Sequence, residues 1–102
     1  MSFLSKKYDF IVIGGGIIGL SSAMQILEKF PQKKLLLIEK ENSLAFHQSG
    51  HNSGVIHAGV YYQPGSLKAK FCKMGVNKTI EFCSKHQIPF EQCGKLIVAT
   101  SK

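Results

Sequence analysis

The sequence predicts an α/β fold, and three observations within residues 8–40 support this prediction. The unbroken apolar run Phe10–Ile13 leads into closely spaced glycines, as expected for a buried parallel strand that ends in a tight turn. Apolar residues then recur at helical spacing, and a second apolar run, Leu35–Ile38, ends in an acidic residue. Strand, glycine turn, helix, strand and acid in this order predict a Rossmann-like βαβ unit that binds a dinucleotide.

The glycine turn has the G-x-G-x-x-G spacing at Gly14, Gly16 and Gly19. In such turns the first glycine allows a tight turn, the second lets the backbone approach a pyrophosphate, and the third allows close packing of helix on strand. Glu39 follows the last glycine by twenty residues, where a carboxylate accepts hydrogen bonds from ribose hydroxyls and repels the 2′-phosphate of NADP. The motif alone leaves FAD and NAD open.

Two helices and a third strand are expected around this motif. The first helix presents an apolar face to the sheet and ends at Pro31. Ser66 is a candidate N-cap for a second helix that runs to about His86, with Gly75 as its weak point. A further strand is expected near residues 95–99. The apolar face of the first helix consists of Leu20, Ala23, Met24, Ile26, Leu27 and Phe30.

A polar loop separates the second strand from the second helix. Residues 41–65 contain four glycines, three histidines and two adjacent tyrosines, a composition typical of loops that line a ligand. In an NAD-dependent dehydrogenase a regular helix and a third strand would follow Glu39 soon. A loop of twenty-five residues is longer than the usual connection, and this favours FAD.

Length and charge restrict the possible functions. A chain of 102 residues is at most one domain, and one βαβ unit with a single later strand cannot cover both faces of a parallel sheet. We therefore expect residues 1–102 to be the N-terminal part of a larger nucleotide-binding domain, without a substrate domain. The net charge of +7 comes from thirteen scattered lysines and no arginine, a distribution that disfavours nucleic-acid binding.

The cysteines and histidines give no metal motif. Cys72, Cys83 and Cys93 are odd in number and form no C-x-x-C pair, which favours small apolar side chains in a reducing compartment. His47 and His51 are four residues apart, but Ser49 and Gly50 between them disfavour the helix that would bring both to one zinc ion. We expect no metal site.

The whole chain resembles a known family. The βαβ unit near the start, followed by GHNSGVIHAGVYYQPGSLKAKFC at residues 50–72 and CGKLIVAT at residues 93–100, is similar to the FAD-dependent oxidoreductases related to D-amino-acid oxidase. Within that family the chain resembles the L-2-hydroxyglutarate oxidases and dehydrogenases.

The resemblance implies that FAD is the cofactor and that a 2-hydroxy acid, L-2-hydroxyglutarate, is oxidised to 2-oxoglutarate, with electrons passed to oxygen or a quinone. His57 is the candidate for a polar group near the flavin, since imidazole exchanges protons near neutral pH. The alternative for His57 is a structural histidine that bonds the loop backbone. The implied cofactor-binding residues are Gly14, Gly16, Gly19 and Glu39, and then Ser49, Gly50, Asn52 and Ser53.

Other functions remain open at this point. These are a related FAD-dependent oxidase for amino acids or glycerol phosphate, and a non-catalytic nucleotide-binding remnant. A dicarboxylate substrate is typically bound by arginine or lysine side chains, and this chain has no arginine. The 102 residues alone are therefore expected to be inactive. We expect a cytoplasmic location, with peripheral contact to the inner membrane if a quinone accepts the electrons.

Overall fold

The computed structural model describes residues 6–101, which form two compact units, residues 6–53 and residues 54–101. The first unit contains strand β1 at Phe10–Ile13, helix α1 at Ile17–Lys29 and strand β2 at Leu35–Ile38. The second unit contains helix α2 at Leu67–Lys85. The predicted βαβ unit and the predicted second helix are confirmed.

The first unit is a two-stranded parallel sheet with α1 on one face. β1 and β2 pair in register, with Phe10 opposite Leu35 and Ile13 opposite Ile38. The ring of Phe10 stacks on that of Phe30, just past the end of α1, with centroids 5.9 Å apart. Ala23, on the inner side of α1, is 7% exposed, and it is the most buried apolar side chain of the described residues. The small core therefore lies between α1 and the sheet.

The opposite face of the sheet is open. Ile11 and Ile13 on this face are 59% and 84% exposed, as expected if one βαβ unit cannot cover both faces of a parallel sheet. Side chains alternate between the faces of a strand, so α1 covers only every second residue of β1. A continuous apolar run is the pattern of a strand with cover on both sides.

Asp9 ties the start of β1 to the start of β2. Its backbone N–H donates to the Lys34 carbonyl oxygen over 2.8 Å, and its carboxylate accepts from the Lys34 N–H over 2.8 Å. The same carboxylate accepts from Lys33 Nζ over 3.1 Å. These hydrogen bonds, from the Lys34 amide first and from Lys33 second, lower the pKa of Asp9 below its usual value.

Helix α2 begins and ends where its sequence predicts. Ser66 accepts a hydrogen bond from the Ala69 N–H over 3.2 Å as N-cap, and His86 is the C-cap. The helix runs through Gly75 without a break. Within residues 6–101, no helix combines the length and apolar character needed to cross a bilayer.

The strand expected near residues 95–99 does not form. The sheet of the described residues consists of β1 and β2, and residues 95–99 have no regular secondary structure. A strand needs hydrogen bonds to a neighbour, which an apolar sequence by itself does not supply. Leu96, Ile97 and Val98 are 86%, 63% and 68% exposed.

Replacing Asp9 tests the link between the strand ends. We expect Asp9→Ala to lower the melting temperature, because the Lys34 N–H loses its acceptor and Lys33 loses its ion pair. Thermal unfolding followed by circular dichroism measures the change. Glu28→Ala, which removes an exposed carboxylate from α1, is the matched control. Equal melting temperatures for the two variants would contradict this role for Asp9.

Candidate functional site

The glycine turn joins β1 to α1 through two glycines with different tasks. Gly14 has a φ of +106°, a conformation that side chains disfavour, and its N–H donates to the Ile38 carbonyl oxygen over 2.7 Å. Gly19 lies so close to the Gly14 carbonyl oxygen that a Cβ on Gly19 would overlap it. The predicted close packing of helix on strand at the third glycine is therefore present.

An open cleft of about 460 Å³ lies at the N-terminus of α1. This volume is within the range of small-molecule sites, which is about 300–1,000 Å³. The amides of the first helical turn and the positive end of the helix dipole favour an anion here. The cleft is lined by Val12, Ile13, Gly14, Gly16, Ile17, Ile18, Gly19, Ser22 and Ser49.

Glu39 extends from the end of β2 to the glycine turn. Its Oε2 accepts a hydrogen bond from the Gly15 N–H over 2.6 Å, and its Oε1 accepts from the Glu41 N–H over 2.9 Å. The Glu41 and Gly15 amides are the main causes that lower the pKa of Glu39, with a smaller contribution from the charge of His47. A carboxylate has about four lone-pair positions, so Glu39 keeps acceptor capacity for a ribose diol.

The beginning of the polar loop folds back onto the glycine turn. The Ala45 N–H donates to the Gly15 carbonyl oxygen over 2.9 Å, and the Ile17 N–H donates to Ser49 Oγ over 2.8 Å. The side-chain amide of Asn52 donates to the Gln48 carbonyl oxygen over 2.7 Å. The loop is thus fixed internally and attached to the turn at two points.

Five of the eight predicted cofactor-binding residues lie together around the glycine turn. These are Gly14, Gly16, Gly19, Glu39 and Ser49. The other three predicted residues belong to the end of the same unit: Gly50 donates its N–H to the His47 carbonyl oxygen, Asn52 fixes the loop, and Ser53 is exposed. Their contact with a cofactor stays a prediction.

His57 belongs to the second unit. Its side chain is exposed, and its carbonyl oxygen lies 3.1 Å from Cys72 Sγ, which donates to it from α2. The nearby Gly59 has a φ of +75°, and a Cβ there would lie 2.6 Å from Cys72 Sγ. The backbone at His57 is therefore anchored to α2, while the predicted role of the imidazole beside a flavin stays a prediction.

Sequence reasoning missed two contributors to the site. Gly15 is buried, and a Cβ there would lie 2.6 Å from Leu44 Cδ2 and 3.1 Å from Glu39 Oε2. The run of three glycines, one more than the motif needs, was the available signal for Gly15. The contact of Leu44 had no signal, because it depends on how the loop folds back.

The histidines of this loop make local hydrogen bonds. His47 Nε2 lies 2.9 Å from Glu41 Oε1, and His51 Nδ1 lies 2.9 Å from the His47 carbonyl oxygen, so the Nδ1 of His51 is the donor. Within residues 6–101, no group of three or more histidine, cysteine, aspartate or glutamate side chains has the arrangement of a metal site.

The sequence that forms this site matches a known protein family. The model of the FAD dependent oxidoreductase family, DAO, matches residues 9–102, which include the glycine turn, Glu39 and the loop. The chain belongs to this family. The predicted family and its cofactor, FAD, are confirmed by this match.

Curated relatives of this FAD-dependent oxidoreductase chain agree with the family assignment. L-2-hydroxyglutarate dehydrogenase of Escherichia coli strain K12 is 58% identical over 94 residues, which are 92% of the chain and 22% of that relative. The mitochondrial L-2-hydroxyglutarate dehydrogenase of Caenorhabditis elegans is 59% identical over 93 residues, 91% of the chain and 22% of that relative. The bovine mitochondrial protein of the same name is 49% identical over 98 residues, 96% of the chain and 21% of that relative. The chain thus spans about a fifth of the length of these relatives.

The close approach at Gly19 predicts a sharp difference between two glycine substitutions. We expect Gly19→Ala to destabilise the first unit by about 1–3 kcal/mol, because its Cβ would overlap the Gly14 carbonyl oxygen. Gly75→Ala, in open space on α2, is the control and should stabilise the chain by about 0.5–1 kcal/mol. Urea unfolding followed by circular dichroism measures both. A neutral Gly19→Ala would contradict the close contact.

The hydrogen bonds of Glu39 predict a defined pH dependence. The pKa of Glu39 is lowered in the folded chain, so its stabilising contribution is complete above the ordinary value of 4.5 and is lost as the pH falls through the folded pKa. Glu39→Gln should therefore lower the melting temperature at pH 7, and the difference from the unchanged chain should shrink below pH 4.5. Glu91→Gln, at an exposed position, is the control. A difference that persists at low pH would argue against ionised Glu39 as its source.

Proposed function

We propose that this chain supplies the half of an FAD site that holds the adenosine diphosphate portion, within a protein that oxidises L-2-hydroxyglutarate to 2-oxoglutarate. The proposal rests on one observation: the Glu39 carboxylate and the N-terminus of α1 lie at the same turn. The Glu39 carboxylate binds the Gly15 amide, and two residues further the backbone enters the amide-rich N-terminus of α1. A ribose diol and a diphosphate require these two groups side by side.

The described residues fit FAD by their chemistry. Gly14, Gly16 and Ile17 line the cleft at the helix terminus and would face the pyrophosphate, and Gly19 keeps α1 close enough for this. Glu39 would accept hydrogen bonds from the ribose hydroxyls with its remaining lone pairs. The loop residues proposed to complete the cofactor-binding surface are Ser49, Gly50, Asn52 and Ser53.

The proposed reaction is the oxidation of a CH–OH group. When bound, FAD supplies the acceptor for the hydride that leaves the carbon bearing the hydroxyl group. His57 is proposed to take the hydroxyl proton on its imidazole, as a general base. The hydrogen bond from Cys72 to the His57 carbonyl oxygen would hold the backbone of this residue while leaving its side chain exposed.

The substrate proposal is supported by the curated relatives, which carry the name L-2-hydroxyglutarate dehydrogenase. Recognition of the two carboxylates would draw on a substrate domain in the longer proteins, because the 102 residues hold thirteen lysines and no arginine. Oxygen or a quinone is proposed as the electron acceptor. If a quinone is the acceptor, we propose peripheral contact of the protein with the inner membrane.

The cofactor half of the proposal is tested on the 102-residue chain. We expect it to bind FAD and ADP, with riboflavin as the control that lacks the adenosine diphosphate portion, and to show no turnover of L-2-hydroxyglutarate. Isothermal titration measures binding. A chain that binds riboflavin as well as ADP would contradict the assignment of this half-site, and turnover with added FAD would contradict its inactivity.

The substrate half is tested on the full-length protein that carries this chain. We expect anaerobic L-2-hydroxyglutarate to bleach the absorbance band of the bound flavin. D-2-hydroxyglutarate and L-lactate are the controls, because the first has the other configuration and the second lacks the distal carboxylate. Bleaching by an amino acid or by glycerol phosphate alone would replace the proposed substrate. A folded protein without flavin would favour a non-catalytic nucleotide-binding role.

A further inference from the structure

Helix α1 has no N-cap side chain of its own. Its N-cap position is Gly16, which forms no side-chain cap hydrogen bond, and its first turn contains no acidic residue. The N–H groups of a first helical turn have no partner inside the helix and need one from elsewhere. In this site the residues of that turn line the cleft proposed for the diphosphate.

Ser49 supplies the missing cap from a distant part of the chain. Its Oγ accepts the hydrogen bond from the Ile17 N–H over 2.8 Å, across 32 residues of sequence. A Cβ on Gly16 would lie 3.3 Å from the same Oγ, so the second glycine of the motif also leaves room for this serine. A hydroxyl that accepts one hydrogen bond still carries a proton that it can donate.

The cap also attaches the loop to the turn. The Ala45 N–H donates to the Gly15 carbonyl oxygen over 2.9 Å, and the Ser49 carbonyl oxygen accepts from the Asn52 side chain over 3.1 Å. Ser49 therefore connects an internally fixed loop to the helix terminus, and Ala45 provides the second point of attachment.

We propose that Ser49 is a positioning residue, a long-range N-cap that docks residues 44–52 onto the glycine turn and so forms the wall of the diphosphate site before the ligand binds. The inference rests on the proposed function of the cleft. Its physical basis is conformational entropy. A loop that is already docked does not have to be ordered when the ligand binds, so the affinity is not reduced by that cost. Loss of the hydroxyl leaves the Ile17 N–H without an acceptor and the loop with one attachment fewer.

The test compares three variants of the 102-residue chain. Ser49→Ala removes the cap, Ser49→Thr keeps a hydroxyl, and Ser43→Ala is a matched control at an exposed serine of the same loop. Amide hydrogen exchange by NMR reports on the Ile17 N–H without any ligand. Isothermal titration with ADP is then performed at a temperature at which circular dichroism shows every variant to be folded.

We expect Ser49→Ala to accelerate exchange of the Ile17 amide at least about threefold, in line with the loss of an N-cap, and to weaken ADP binding by about three- to tenfold. Ser49→Thr should restore both, and Ser43→Ala should change neither. Unchanged exchange at Ile17 in Ser49→Ala would overturn the cap. Equal acceleration at all amides would reveal general destabilisation and would overturn the positioning role, as would unchanged ADP affinity. If the unchanged chain binds neither ADP nor FAD, the proposed function fails, while exchange at Ile17 still decides whether Ser49 caps α1.

Discussion

The approach of Gly19 to the Gly14 carbonyl oxygen is the contact on which the rest of the first unit depends. It sets the distance between α1 and β1, so it also sets where the first amides of α1 open into the cleft. A helix held farther away would leave Ala23 unburied and would widen the gap that the loop must bridge. Core packing and site geometry therefore come from one backbone contact, and neither can be adjusted alone.

The site separates two kinds of polar chemistry over a short distance. The Glu39 carboxylate is negative and lies at the end of β2, whereas the N-terminus of α1 is partly positive. Glu39 also binds Gly15, so the acid that would recognise a sugar holds the turn that would recognise a phosphate. Ser49 attaches the loop to the N-terminus of α1. A dinucleotide is neutral at its sugar and anionic at its phosphates, and this arrangement matches that order.

Local patterns sufficed for most of the fold, and contacts distant in sequence did not follow from them. β1 and β2 have the predicted bounds, and α1 ends at Lys29, two residues before Pro31, because apolar runs, glycine spacing and proline each act over a few residues. Residues 95–99 form no strand because a strand needs a neighbour for its hydrogen bonds. Ile11 is exposed because no element of the first unit packs on its face of the sheet. Ser49 was predicted as a cofactor residue through family resemblance. Its hydrogen bond to Ile17 has no sequence signature, because the two residues are 32 positions apart.

The amide of Ile17 donates to Ser49 Oγ beside the cleft, while its side chain is 70% exposed and that of Ile18 is 78% exposed. The hydrogen-bonding group at these two positions is the main-chain N–H, which every amino acid except proline has. Alanine scanning would therefore pass over both residues, and natural substitutions there would carry little information about what the cleft binds. Only a change to the main chain itself, such as proline or an ester in place of the amide, would make their contribution visible.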